Sequence, residues 1–211
     1  LRPEWRDGPI PFTWEDLAED MWTHIDALTQ EPIDIAGMSF GGVVAMLMAY
    51  QQPTRVGQLF LVSTSNLKTA FGVRINTLIQ GLIARVPPEE FGALMTTLTF
   101  SQDFHDQHPS LRSLRQEGIA CDPGTGEGFE GRYRPAFVQQ ARLGATVPEA
   151  FAEPFPIPPA RVTAIVGDSD LMVSSRARAS LCALSGSPVV VAGAGHVIGE
   201  LPQLISERLG V

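Results

Sequence analysis

A serine with glycines two residues before and two residues after it, in the segment 37–41 (Gly-Met-Ser-Phe-Gly), constrains this chain more than any other feature. An apolar run beginning at Ile33 leads into the segment, and the apolar stretch from Val43 to Ala49 that follows it is typical of a helix. A serine between a strand and a helix occupies a very sharp turn, in which side chains at the two glycine positions would collide with the neighbouring strand or helix. The pattern predicts that Ser39 is a nucleophile held at the end of a strand.

Strand-like and helix-like segments alternate on both sides of this turn. Thr13 is a candidate N-cap for the first helix, whose residues Leu17, Met21, Ile25 and Leu28 recur on one face. Alternation of this kind implies parallel strands joined by right-handed crossovers, so the predicted fold class is α/β. The predicted segments are a helix at 14–28, a strand at 33–38, a helix ending near residue 52, strands at 56–63, 161–166 and 188–192, and a helix at 201–209.

The stretch from residue 68 to residue 157 interrupts the alternation. It contains apolar residues at helical spacing and no strand pattern, and its glycine-rich segment 122–128 is typical of a mobile loop. We interpret the stretch as an inserted helical cap, with 1–67 and 158–211 forming the core of the fold. The alternative is that these helices belong to the layers that flank the sheet.

The bulk composition limits the partners of the protein. The 211 residues are 44% hydrophobic and 18% charged, as in ordinary globular domains. A formal charge of −8 argues against binding to nucleic acid or to an anionic membrane, and no apolar run approaches the roughly 18 residues of a membrane span. Cys121 and Cys182 lack metal-binding spacing and are expected to be inert. We expect neither a cofactor nor a metal.

A serine hydroxyl needs a base to remove its proton, and the chain offers four histidines. His196 follows the last predicted strand in a glycine-rich loop, at the carboxyl end of the sheet, where the functional groups of α/β proteins collect. His24 lies in a predicted helix and is interpreted as a surface or interface residue. His105 and His108 have a spacing that suits a metal ion, although a solvated cap loop has the same pattern.

The base in turn needs an acid to orient it, and two aspartates follow the third predicted strand. Asp170 is favoured, because the extra residues beyond the strand carry it toward the loops that hold Ser39 and His196. Asp168 remains the alternative, and its other interpretation is an ordinary turn residue. The chain order is then serine, aspartate, histidine.

With these residues in this order, the chain resembles the α/β-hydrolase superfamily, most closely its capped esterase, lactonase and perhydrolase branch. The resemblance implies that Ser39 is the nucleophile, Asp170 the orienting acid and His196 the general base. It also implies that the main-chain N–H of Phe40 is one donor of the oxyanion hole. The resemblance covers almost the whole chain and rests on segments 12–20, 37–42, 167–170, 195–196 and 201–202.

The function implied by the resemblance is hydrolysis of a small ester, lactone or thioester through an acyl-enzyme. Apolar cap residues (Phe71, Leu78, Leu82, Phe91, Met95 and Phe100) are expected either to line the substrate site or to form the cap's own core. Cap arginines (Arg74, Arg112 and Arg115) are expected to face solvent or to hold a substrate carboxylate. A non-catalytic ligand-binding relative and an inactive fragment are the alternatives.

Family members ordinarily have about four strands before the position of Leu1, and a loop among them supplies a second oxyanion donor. We therefore expect a truncated chain whose strand 33–38 forms an unpaired edge. Loss of one oxyanion donor lowers turnover by about 10²–10³-fold, so these residues alone are expected to be weakly active or inactive. Cytoplasmic residence is the default expectation, and the sequence leaves the oligomeric state open.

Overall fold

Four parallel strands form one sheet, in the order in which they occur in the chain. They are β1 (Ile33–Met38), β2 (Val56–Val62), β3 (Val162–Gly167) and β4 (Val189–Val191). The computed structural model describes residues 12–83, 85–109, 138–199 and 201–209. Within these residues β1 is an edge of the sheet, as the sequence predicts, and the parallel α/β class is confirmed.

Helices connect the strands and cover the sheet. The described helices are α1 (Trp14–Asp26), α2 (Phe40–Gln51), α3 (Ala70–Ile83), α4 (Pro88–Thr99), α5 (Gln102–Gln107), a helical stretch at 138–144, α6 (Ser175–Leu184) and α7 (Leu201–Leu209), with 3₁₀ turns at Pro53–Arg55, Glu149–Ala152 and Pro159–Arg161. None of the helices in this part of the chain is long and apolar enough to cross a membrane.

The first helix begins at the predicted cap and buries part of the predicted face, because Leu17 is buried and Ile25 packs against the hydrophobic core. The Thr13 hydroxyl accepts the Asp16 N–H, and the Asp16 carboxylate accepts the Thr13 N–H, which together form a capping box. The helix ends at Asp26, so Leu28 lies beyond it and is 86% exposed. Met21 is also exposed. Two tryptophan rings complete the buried face, and the buried residues of α1 are Trp14, Leu17, Ala18, Asp20 and Trp22.

The main core lies between α1, α2 and the sheet. Helix α2 is apolar on nearly all sides, because it packs against α1 on one side and against β1 and β2 on the other. The central strands β2 and β3 are buried almost throughout, with Leu59, Leu61 and Ile165 fully inaccessible. This packing fixes the carboxyl ends of three neighbouring strands relative to one another.

The described residues between β2 and β3 form helices joined by turns and irregular segments, and no strand. Ile79, Ile83, Phe91 and Ala141 make a small apolar cluster of their own, separate from the main core. The segment just before β3 behaves differently, because Ile157 is buried in the main core. The domain boundaries at 67 and 157 stay predictions, and the glycine-rich segment 122–128 lies outside the described residues.

Candidate active site

Ser39 lies in the turn between β1 and α2, in an uncommon backbone conformation with φ 52° and ψ −119°. A Cβ atom at Gly37 would lie 2.5 Å from the carbonyl oxygen of Gly41, which explains the first glycine of the pattern. The predicted crowding at the second glycine of the pattern, Gly41, is wrong. A Cβ at Gly41 would meet nothing within 4 Å, whereas one at Gly42 would lie 2.6 Å from the side chain of Thr64. The crowding is therefore at residues 37 and 42.

Three side chains from three strand ends meet beside this turn. The Nε2 atom of His196 is 2.8 Å from Oγ of Ser39, and Nδ1 of His196 is 2.9 Å from Oδ2 of Asp170. His196 and Asp170 are both buried, with side-chain exposures of 5% and 0%. Nδ1–H donates to the carboxylate in the tautomer that leaves Nε2 free to accept the serine hydroxyl proton.

The Asp170 carboxylate is held by its own turn. Its Oδ1 atom accepts the main-chain N–H groups of Met172, at 2.6 Å, and of Val173, at 3.0 Å. These bonds leave Oδ2 directed at the imidazole of His196. A carboxylate fixed on one oxygen in this way presents the other in a single orientation, which suits the orienting acid of a proton relay.

Asp168, the alternative acid, has different partners. Its Oδ1 atom accepts the main-chain N–H of Gly193 at 2.8 Å and the hydroxyl of Ser169 at 3.0 Å. The carboxylate thus ties the turn after β3 to the loop after β4. Of the two aspartates, the structure places Asp170 against His196 and Asp168 against the main chain of the histidine loop.

Two threonines that the sequence did not single out support the site through hydrogen bonds. The Thr64 hydroxyl donates to the carbonyl oxygen of Ser39 at 2.6 Å, and therefore fixes the turn that carries the serine. The carbonyl oxygen of Thr99, at the end of α4, accepts the main-chain N–H of Val197 at 2.9 Å. The polar run that follows β2, at residues 63–66, is the sequence signal for the first of them. No comparable signal marks Thr99.

Phe40 is the first residue of α2, directly after the serine. The first four N–H groups of a helix have no partner within it, and the helix dipole makes this end attractive to negative charge. The Phe40 ring packs against Trp14 with their centroids 4.5 Å apart. The main-chain N–H of Phe40 therefore lies at a helix end whose position is fixed by packing in the main core.

A cavity of about 400 Å³ opens beside Ser39 and His196. Its lining is largely apolar and contains no aspartate or glutamate among the described residues, and Lys68, the only lysine of the chain, stands at its wall. The apolar lining residues include Trp14, Met38, Phe40, Val43, Leu67, Val73, Ile75, Ile79, Met95, Val147, Phe151, Met172, Val173 and Val197.

Of the six apolar cap residues singled out from the sequence, only Met95 lines this cavity. Phe71 and Leu78 are exposed, at 44% and 50%, and Leu82 and Phe91 pack in the small apolar cluster that is separate from the main core. Arg74 is exposed, and Arg112 and Arg115 lie outside the described residues.

The remaining candidate ligands are not gathered into a metal site. Among the described residues no group of three histidine, cysteine or acidic side chains has the geometry to hold a metal ion. His108 stacks on Phe104 with their ring centroids 4.2 Å apart, and His24 bonds to the carbonyl oxygen of Asp20 within α1. Burial raises the pKa of the Cys182 thiol, while Arg178 opposes the rise. Cys121 lies outside the described residues.

A parallel sheet with a serine, a histidine and an aspartate meeting at its carboxyl end defines the class of α/β proteins that carry a nucleophile on a strand-to-helix turn. The model of the alpha/beta hydrolase family matches residues 1–208, and the chain belongs to that family. By family it is a hydrolase. No curated protein matches the sequence.

Solved structures share the fold at low sequence identity. An alpha/beta hydrolase enzyme from a Medee basin deep-sea metagenome library is 14% identical over 96% of this chain and 73% of its own, with a TM-score of 0.79. The enol-lactonase of Burkholderia xenovorans is 14% identical, covers 95% and 72%, and has a TM-score of 0.65. A thermophilic esterase from Thermogutta terrifontis is 20% identical, covers 96% and 72%, and has a TM-score of 0.68.

Proposed function

We propose that the protein is a serine hydrolase that cleaves a small ester, lactone or thioester through an acyl-enzyme on Ser39. The observation that carries the proposal is the unbroken chain of hydrogen bonds from Ser39 through His196 to Asp170, at 2.8 and 2.9 Å, beside an apolar cavity. Buried polar side chains normally satisfy their hydrogen bonds in many ways, but this order of alcohol, imidazole and carboxylate is the one that activates a hydroxyl.

The first half of the reaction forms the acyl-enzyme. Oγ of Ser39 attacks the substrate carbonyl carbon while Nε2 of His196 accepts the hydroxyl proton. The Phe40 N–H donates to the oxyanion of the tetrahedral intermediate. The intermediate collapses when the bond from the carbonyl carbon to the leaving oxygen or sulfur breaks, and the imidazolium gives its proton to that atom. Asp170 stabilises the imidazolium and keeps Nδ1 protonated.

The second half returns the enzyme to its starting state. Water enters beside the acyl group, and Nε2 of His196 takes one of its protons as the oxygen attacks the acyl carbon. Collapse of the second tetrahedral intermediate breaks the bond to Oγ of Ser39, which recovers its proton from the imidazolium. The products are a carboxylic acid and the free serine.

We propose that the described helices between β2 and β3 form a cap over this cavity. Helix α3 contributes Val73, Ile75, Asn76 and Ile79 to the lining, and α4 contributes Met95 and Thr99. The cavity volume and its apolar wall favour a small acyl group. The esterase and the enol-lactonase that share the fold are consistent with a small ester or lactone substrate.

The experiment that tests the proposal replaces Ser39 by alanine in the full chain. We expect hydrolysis of p-nitrophenyl acetate to fall to the background rate and covalent labelling by a fluorophosphonate probe to disappear. Ser175→Ala, at an exposed serine of α6, is the control and should behave as the wild type. Undiminished hydrolysis by Ser39→Ala refutes the assignment, and a wild type that resists the probe favours a non-catalytic ligand-binding protein.

A further inference from the structure

The side chain of Arg178 in α6 reaches back to the turn that carries Asp170. Its Nη1 atom donates to the carbonyl oxygens of Asp170, at 2.9 Å, and of Val173, at 2.6 Å. Its Nη2 atom donates to the carbonyl oxygen of Asp168 at 3.2 Å. One guanidinium thus binds three main-chain oxygens on both sides of the acid.

These contacts complement those of the Asp170 carboxylate. Within the turn, N–H groups hold Oδ1 of Asp170, whereas Arg178 holds the carbonyl groups of the same peptide segment. Main-chain donors and acceptors are therefore fixed at the same time. Since the carboxylate moves with this segment, any shift of the turn changes the 2.9 Å contact between Oδ2 and His196.

The position of Arg178 in its helix is electrostatically unfavourable by itself. Ser174 caps α6, and Arg178 lies one turn further on, with its N–H bonded to the Ser174 carbonyl oxygen. The positive end of a helix dipole disfavours a cation there. A flat guanidinium with five donors compensates by binding several carbonyl oxygens at once, which an ammonium group does less well.

We propose that Arg178 is a positioning residue of the reaction, acting through the turn 168–173 on Asp170 and through Asp170 on His196. The inference rests on the proposed function. Arg178 itself does not line the cavity, although Met172 and Val173 of the turn do. Loss of Arg178 should therefore affect the rate of the chemical step more than substrate binding. The charged partner of His196 is Asp170, since the carboxylate of Asp168 is turned to the N–H of Gly193.

The test compares Arg178→Gln and Arg178→Lys with Arg176→Gln, a control at an exposed arginine two residues earlier on the same helix. We expect kcat for p-nitrophenyl acetate to fall about 10- to 100-fold in Arg178→Gln. Activity falls by a similar factor when a residue that orients a metal-binding histidine is replaced. KM should change less than kcat. Arg178→Lys should recover part of the rate, and Arg176→Gln should match the wild type.

The time course of Ser39 labelling separates positioning from a general loss of structure. A loosened Asp170 orients His196 less well, so fluorophosphonate labelling should be slower in Arg178→Gln but reach the same final extent, whereas a loss of structure lowers the final extent. Circular dichroism shows which variants are folded. If Arg178→Gln does not fold, the comparison with the wild type uses Arg178→Lys. An unchanged kcat and an unchanged labelling rate in folded Arg178→Lys and Arg178→Gln overturn the inference, while labelling of Ser39 in the wild type upholds the proposed function. A wild type without labelling overturns both.

Discussion

Gly195, directly before the histidine, leaves no room for one added carbon atom. A Cβ there would lie 2.7 Å from the N atom of Ser101, and 2.8 Å from the carbonyl carbon of Phe100 and the carbonyl oxygen of Thr99. All three are main-chain atoms at the junction of α4 and α5, so no side chain can rotate away. Either the histidine loop or this segment must move.

The cost of Gly195→Ala can be worked from these contacts. Overpacking of a dense site destabilises by typically 1–3 kcal/mol. Separation of the two segments also strains the hydrogen bond from the Val197 N–H to the Thr99 carbonyl oxygen, which contributes about 1 kcal/mol. We therefore expect the free energy of unfolding to fall by roughly 2–4 kcal/mol. Because His196 moves with the loop, kcat should fall by about 10²-fold, the effect of a misplacement near 1 Å.

Gly199→Ala is the matched control, since it adds the same atom to the same loop at an exposed position with nothing within 4 Å. Urea unfolding of both variants gives the stability change, and hydrolysis of p-nitrophenyl acetate gives kcat. Gly199→Ala should stay close to the wild type in both. If Gly195→Ala unfolds at the same urea concentration as the control and keeps its kcat, the segment that joins α4 to α5 does not support the histidine loop.

Three further changes test separate parts of the site. Thr64→Val removes the 2.6 Å bond to the Ser39 carbonyl oxygen and should lower kcat severalfold with little change in KM; an unchanged kcat contradicts the support given to the turn. Lys68→Met should lower kcat/KM for a p-nitrophenyl ester with a free carboxylate but not for its neutral counterpart, because Lys68 lines the cavity. Arg74→Gln is the control. Equal effects of Lys68→Met on both esters contradict a contact between Lys68 and the substrate carboxylate. Burial raises the pKa of Cys182, so less thiolate is present at pH 8, and mass spectrometry should show slower alkylation by iodoacetamide in the folded protein than in urea.

The features that the sequence predicts correctly are those set by local pattern and chain order. The four strands, the turn at Ser39 and the cap of α1 each depend on a few neighbouring residues. The contacts among Ser39, Asp170 and His196 could be anticipated because each follows a strand, and the carboxyl ends of parallel strands lie at one edge of a sheet. No long-range information beyond the strand pairing was needed.

The features that the sequence did not predict depend on how elements pack on each other. The lining of the cavity is one, because Phe71 and Leu78 have the spacing of a buried face and are nevertheless exposed. The crowding at Gly42 is another, since it arises from Thr64 on the neighbouring strand end. Periodicity locates an apolar face along a helix, but the partner of that face is decided by the rest of the fold.

The contacts that hold the candidate site are largely contacts to the main chain, and this bears on how the site is specified. The Ser169 N–H donates to the Ala194 carbonyl oxygen at 3.0 Å, and the Asp168 N–H donates to that of Val191 at 3.2 Å. Hydrogen bonds of this kind depend on the course of the main chain and place little restriction on the side chains along it. Only where a side chain supplies the partner, as in Thr64 and Arg178, does the residue type matter. Structures that keep this fold at 14–20% identity therefore need to share only the course of the main chain and a few polar side chains. Substitution of those few side chains should affect the chemistry most.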